Sequence, residues 1–418
     1  MKVAVAIALT LLACRGETSK RKASTDATEP SPIVAKPAIL QEFHATQNTV
    51  AVTMAPLGDS LIVLGVSGGL LRDQYGDAIN DSLTVTSLRR ADGFVNWQRT
   101  FVPKEKRIWP VAPYDLLVTD EHLWIAFAGE LKEHPAPRPN PGLEAPPSAL
   151  LRLSLEGRDG ELLLLPGREG STSALASVGD DLIVGETSGE AAADCDGYAA
   201  HLLRIRSDGS LVWRSCLHSS SQPVDSGFSK IAVRPDGSVV ACGTMADGRA
   251  GFGKLEGPPR KRQSVFIGEW SPAGEPRWLY SPDSTDDLDC HDLVLAGDIV
   301  LVALDGLLDQ GRVLALRDGA VVWLTWFADL FHARTSRGPM TLAVDGDEVL
   351  VGGAVEKVGR LVRLKIADGT QVGPLISLPS PSTSYFYVPI KFYLADRLYI
   401  LATSNGDRAW VLALPRHP

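Results

Sequence analysis

Cysteine and methionine are scarce in this chain of 418 residues, which holds five Cys and four Met. No two cysteines form a C-x-x-C pair, and the eight histidines include no H-x-x-x-H pair that would seat zinc on one helix face. There is no P-loop, and no G-x-S-x-G elbow leads from a strand into a helix. Positive charge is not in excess: the net charge of -9 argues against a general nucleic-acid binder, which would carry a basic face. After residue 38 no long amphipathic helical pattern occurs. Neither a metal nor a cofactor is therefore expected, and enzymatic activity is the less favoured reading. What is present is ordinary for a chain that buries a core, 44% hydrophobic and 22% charged residues, with an unusual nine Trp.

The first residues read as a targeting segment. Lys2 is followed by the apolar run VAVAIALTLLA, Val3 to Ala13, too short to span a bilayer but right for a signal core. The run ends in LLAC and resembles a bacterial lipobox. That resemblance implies a signal peptide over 1–13, acylation of the Cys14 thiol, and membrane attachment through the lipid. Arg15, rather than Asp, follows the cysteine and favours the outer membrane. The polar stretch that follows, up to residue 38, lacks apolar periodicity and reads as a disordered tether.

Two phrases alternate through the remainder. One is a Gly turn followed four residues later by Trp: ADGFVNW to Trp97, SDGSLVW to Trp213, PAGEPRW to Trp278 and RDGAVVW to Trp323. Two weaker copies, RDGELLL and ADGTQVG, place Leu164 and Gly373 where Trp would stand. The other phrase is an apolar run, an Asp/Gly turn and a second apolar run, as in APLGDSLIVLG from Ala55 and VDGDEVLVGG from Val344. Both are β-hairpins. Together they make units of four strands, a to d, which is the sequence signature of propeller blades. The second phrase occurs seven times and the first only six. The last unit ends at RAWVLALPRHP with strand c, so PAILQEFHA near the N-terminus should supply its strand d, pairing Ile39–Phe43 with Trp410–Leu414. The expectation is an all-β, seven-bladed propeller over 39–418, with Trp97, Trp213, Trp278 and Trp323 wedged between blades as structural packing.

These outer and inner strand phrases resemble bacterial propeller repeats of the SBBP and quinoprotein-like kind, often found on lipoproteins. The resemblance covers the repeat region as a pattern. It implies fold more than function, since propellers host enzymes, binding modules and scaffolds alike.

Cys195, Cys216, Cys242 and Cys290 remain beside Cys14, an even number that suggests two disulfides in an exported protein. Three pairings are possible; positions in the blades favour Cys195–Cys216 and Cys242–Cys290. Two long insertions, Gly129–Pro147 and Met245–Gln263, read as b–c loops, the second ending in the basic triplet Arg260, Lys261, Arg262 as a candidate binding loop. The run DSTDDLDCHD, Asp283 to Asp292, lacks EF-hand spacing and reads as an acidic surface loop. The inner strands are mostly Val, Leu, Ile and Ala, with few charges.

The functional expectation is a monomeric, lipid-anchored envelope protein that binds a protein, peptide or glycan. The alternatives are a propeller enzyme acting on an extracellular saccharide or small molecule, and a purely structural envelope component.

Overall fold

A computed structural model describes residues 33–35, 37–44, 50–67, 71–72, 78–79, 82–102, 112–129, 131–132, 148–165, 170–188, 200–219, 226–245, 250–259, 263–283, 287–306, 311–331, 341–355, 358–378, 388–404 and 408–416. Seven four-stranded antiparallel blades succeed one another along the chain. In blade 1, strands a to d are Val50–Leu57, Ser60–Ser67, Ser82–Arg89 and Val95–Phe101. Blade 2 comprises Ala112–Val118, His122–Ala128, Ala149–Ser154 and Glu161–Leu164. Blade 3 comprises Gly170–Val178, Asp181–Ser188, Ala200–Ile205 and Leu211–Ser219. Blade 4 comprises Gly227–Val233, Val239–Met245, Ser264–Trp270 and Pro276–Tyr280. Blade 5 comprises Leu288–Ala296, Ile299–Gly306, Arg312–Arg317 and Ala320–Trp326, followed by a one-turn helix, Phe327–Phe331. Blade 6 comprises Thr341–Asp345, Glu348–Val355, Val358–Lys365 and Gln371–Leu378.

Blade 7 closes the ring. Its strands a to c are Val388–Leu394, Arg397–Ser404 and Arg408–Pro415, and its strand d is Ala38–His44 from the other end of the chain. Ile39 pairs with Leu412 and Phe43 with Ala409, in the neighbourhood the hairpin count predicts.

Burial runs radially. Strand c of blade 4 is buried along its whole length, because a sheet pressed between two neighbours has no solvent face. Strand d of blade 5 begins with three exposed residues. Seven apolar clusters stand among the described residues, one at each junction. The cluster joining blade 7 to blade 1 packs Phe43, Tyr399 and Val411 with Met54, Leu61 and Val63, so the seam is sealed like any other junction.

The recurring Trp has a geometric explanation. Each turn glycine before strand d lies against the outer strand of the preceding blade. A side-chain carbon at Gly274 would come within 2.6 Å of Trp213, one at Gly369 within 2.6 Å of Trp323, and one at Gly319 within 3.2 Å of Trp278. The Trp213 indole N–H donates to Pro272 O at 3.1 Å, and that of Trp323 to Ile366 O at 2.7 Å, both in the next blade's turn. Blade 2 departs from the sequence phrase. Gly157, not Gly160, receives Trp97, and its N–H donates to Ser154 O as that of Gly209 does to Arg206 O. Leu163, not Leu164, packs on Gly209. At Gly373 no Trp is required, because blade 7 has no c–d turn to receive it. Ile33–Val34 instead pairs in parallel with strand d of blade 6, inside the stretch read as a tether.

The second insertion is also more than a loop. Ala250–Phe252 and Leu255–Glu256 form a hairpin that extends blade 3, with Ala250–Phe252 antiparallel to Leu217–Ser219.

Cys242 in strand b of blade 4 is bonded to Cys290 in strand a of blade 5, with Cα atoms 6.3 Å apart. Cys216 is disulfide-bonded as well; Cys195 lies outside the described residues. Replacing Cys242 and Cys290 together by Ala should cost about 2–4 kcal/mol, since the bridge closes a span of 48 residues. Urea unfolding under non-reducing conditions measures this.

Candidate functional site

The strands nearest the axis carry a shared irregularity. In blades 1 to 5 and 7 the a–b register shifts by one residue near the start of strand a. The residue just past that bulge is Thr53, Asp115, Ala174, Lys230, Asp292 and Lys391 in turn. Thr341 takes the matching place in blade 6, because Leu342 meets Asp292 as Leu175 meets Asp115. This inner ring therefore holds two carboxylates and two ammonium groups, more charge than the Val, Leu, Ile and Ala content of these strands leads one to expect.

Both carboxylates act as clasps. Asp115 accepts from Leu116 N and from Leu175 N of the next blade, each at 3.0 Å. Asp292 accepts from Leu293 N at 3.0 Å, Leu342 N at 2.9 Å and Thr341 Oγ1 at 3.1 Å. Lys391 Nζ stands 3.8 Å from Asp292 Oδ1, across an intervening blade. Asp292 holds the Lys391 ammonium above its ordinary pKa, burial opposes this, and Asp115 adds to it. The chemistry available here is charge-compensated stitching of consecutive inner strands.

The acidic run at Asp283–Asp292 is accordingly not a single loop cluster. Asp292 turns toward blade 6, Asp289 accepts from Gln263, and His291 lies 3.6 Å from Asp305. Among the described residues no three His, Cys, Asp or Glu side chains converge as a metal site. Gly65-Val66-Ser67-Gly68-Gly69 does spell G-x-S-x-G. Ser67 nevertheless ends strand b opposite Ser82, and residues 71–72 are again strand, so it is not an elbow into a helix. Cys14 and the triplet Arg260–Arg262 lie outside the described residues.

The rim formed by the a–b and c–d turns is tied by ion pairs. Arg90 reaches Asp59 at 3.3 Å and Asp396 of blade 7 at 3.8 Å, and Arg234 donates to Gly297 O in blade 5 at 2.7 Å. Between blades 2 and 3 this rim has a polar cavity of about 300 Å³, walled by Asp120, Glu121, His122 and Asp180 with Trp124 beneath. Arg416 and Arg363 both bind Asp345 at the blade 6–7 corner, and they lower its carboxyl from 3.8 to about 2, Arg416 the more strongly. Because the folded pKa is below the unfolded one, this stabilisation is present above pH 3.8 and is lost as the pH falls toward 2. The loss should be about 1–2 kcal/mol after screening at the exposed Arg416. Urea titrations across that pH range should show it, and Arg416→Ala should remove most of it.

No family model matches the chain, and no curated protein matches it. Its shape has many counterparts among solved structures. A crystal structure of the Mitotic Checkpoint Complex contains a chain similar at TM-score 0.55 and 9% identity, over 94% of this chain and 97% of that one. BBS1N, solved in complex with ARL6DN, is similar at TM-score 0.53 and 12% identity, over 92% and 98%. The polysaccharide lyase Uly1 is similar at TM-score 0.51 and 10% identity, over 95% and 94%. The chain is a seven-bladed β-propeller. Likeness at such identities concerns the fold alone, and the function has to be argued from this chain's own surface.

Proposed function

We propose that this propeller is a lipid-anchored binding or scaffold module of the cell envelope, holding a protein, peptide or glycan on one rim. The observation that carries the reading is an asymmetry of connections. The a–b and c–d turns on one rim are short, many of them only two residues, such as Gly58–Asp59 and Asp318–Gly319. The long b–c and d–a connections, 129–148 and 246–263 among them, all leave strand ends on the opposite rim. A rigid ring with variable connections gathered on one side is the arrangement in which recognition is carried by loops. The inner carboxylates are meanwhile occupied by amides of the next blade, which suits a scaffold.

The lipobox-like LLAC supports the anchor, and Arg15 favours the outer membrane. Metabolic labelling with palmitate should mark the native chain and not Cys14→Ala, which should leave the membrane fraction. Affinity purification from envelopes should recover a partner with the native chain and lose it on removal of residues 133–147 or on replacing Arg260, Lys261 and Arg262 together by Ala, changes that spare the buried Leu131 and the Ala250–Phe252 hairpin. Retention of every partner by both variants would refute the rim assignment.

A further inference from the structure

The short-turn rim repeats one local arrangement at two junctions, and it is complete at only one of them. At the junction of blades 7 and 1, Arg90 stands between two a–b turn carboxylates, Asp59 of its own blade at 3.3 Å and Asp396 of the preceding blade at 3.8 Å. The junction of blades 2 and 3 has the same pair of carboxylates. Asp180 follows Gly179 in the a–b turn of blade 3 as Asp59 follows Gly58 in that of blade 1, and Asp120 lies in the a–b turn of the preceding blade. The c–d turns of blades 1 and 3 also close alike. Arg89 N–H donates to Phe94 O, just past Gly93, and Arg206 N–H donates to Ser210 O, just past Gly209. The residue after the donor is Arg90 in blade 1 and Ser207 in blade 3. Where blade 1 supplies a guanidinium, blade 3 therefore supplies a hydroxyl.

The consequence is the cavity of about 300 Å³ walled by Asp120, Glu121, His122, Asp180 and Ser207. The guanidinium groups of the strands around it are engaged elsewhere: Arg152 with Glu161, Arg204 with Asp181, and Arg206 with Ser210 Oγ at 3.1 Å. Glu121 has His122 at 3.9 Å, and among the described residues no Lys or Arg pairs with Asp120, Glu121 or Asp180. We propose that this cavity binds an arginine side chain of another polypeptide, which completes the junction of blades 2 and 3 as Arg90 completes that of blades 7 and 1. Carboxylates on two separate turns suit the planar, multi-donor guanidinium better than the point charge of an ammonium. Free arginine is a poorer match, because its own carboxylate would enter a pocket that already holds three. The site is on the rim opposite the long connections and does not depend on the loops proposed above.

NMR titration of the full chain with the capped peptide acetyl-Gly-Arg-Gly-amide tests this, beside the same peptide carrying citrulline, the uncharged isostere. The arginine peptide should bind saturably and the citrulline peptide ~10-fold or more weakly, since only the first forms charge-assisted hydrogen bonds. Asp120→Asn with Asp180→Asn should weaken the arginine peptide by ~10-fold or more for the same reason. Both side chains are exposed, so thermal unfolding of that variant should match the native chain. Ser207→Arg should fill the cavity with the chain's own guanidinium and abolish peptide binding. The proposal is overturned if the native chain does not bind the arginine peptide, or binds the citrulline peptide equally well. Binding untouched by the two asparagines or by Ser207→Arg overturns it as well. Free arginine bound as tightly as the peptide would overturn the assignment to a polypeptide.

Discussion

Gly93→Ala should unfold this protein far more readily than its size suggests, by about 4 kcal/mol or more. Gly93 lies in the c–d turn of blade 1 with φ +76°, and a side-chain carbon there would fall on the backbone carbonyl of Leu40. Leu40 belongs to Ala38–His44, the strand that closes the ring from the N-terminal side. A backbone obstacle cannot rotate away as a side chain can, so the turn or the closing strand must shift. Gly58→Ala is the control. Gly58 has φ +53° but nothing within 4 Å, so it should cost only the backbone term of about 1–2 kcal/mol. Urea unfolding followed by Trp fluorescence separates the two. Similar losses for both would mean that closure at Leu40 contributes little.

Glu186→Ala should cost about 3–5 kcal/mol, through a different mechanism. Glu186 on strand b of blade 3 faces His201 on strand c, with Nδ1 3.2 Å from Oε2 and both side chains almost wholly buried. Glu186 Oε1 and His201 Nε2 have no hydrogen-bond partner among the described residues. Removing one member strands the other in an apolar setting among Leu182, Val184 and Leu203. Replacing both members, as Glu186→Leu with His201→Leu, should recover the loss and can exceed native stability, because the desolvation of two polar groups vanishes with them. Equal destabilisation by the single and the double variant would show that the pair supplies net stability.

Much of the fold was legible because its signals are short-range. An Asp/Gly turn between two apolar runs encodes a hairpin within about ten residues, and the hairpins can be counted. Seven inner hairpins against six outer turns led directly to the pairing of Ile39–Phe43 with strand c of blade 7. The candidate site was much less legible. Asp292 sits in an acidic run that reads as surface, and Asp115 in PYDLLV gives no local warning. Each is buried only because the next blade offers an amide, Leu342 N or Leu175 N, some fifty to sixty residues on. Blade 2 shows the limit even of local reading. RDGELLL has the phrase, yet Gly157 makes the turn, because the register of Ala149–Ser154 against Glu161–Leu164 decides which glycine reaches Trp97.

The sequence by itself determined the class, the number of blades, the closing strand and the packing role of the repeated Trp, since period, turn chemistry and counting are properties of neighbouring residues. Only the tertiary structure decided that the inner ring is charged, that Glu186 meets His201, and that an insertion became an added hairpin. Those outcomes depend on which backbone groups of one blade reach the side chains of the next. Local propensity does not carry that information.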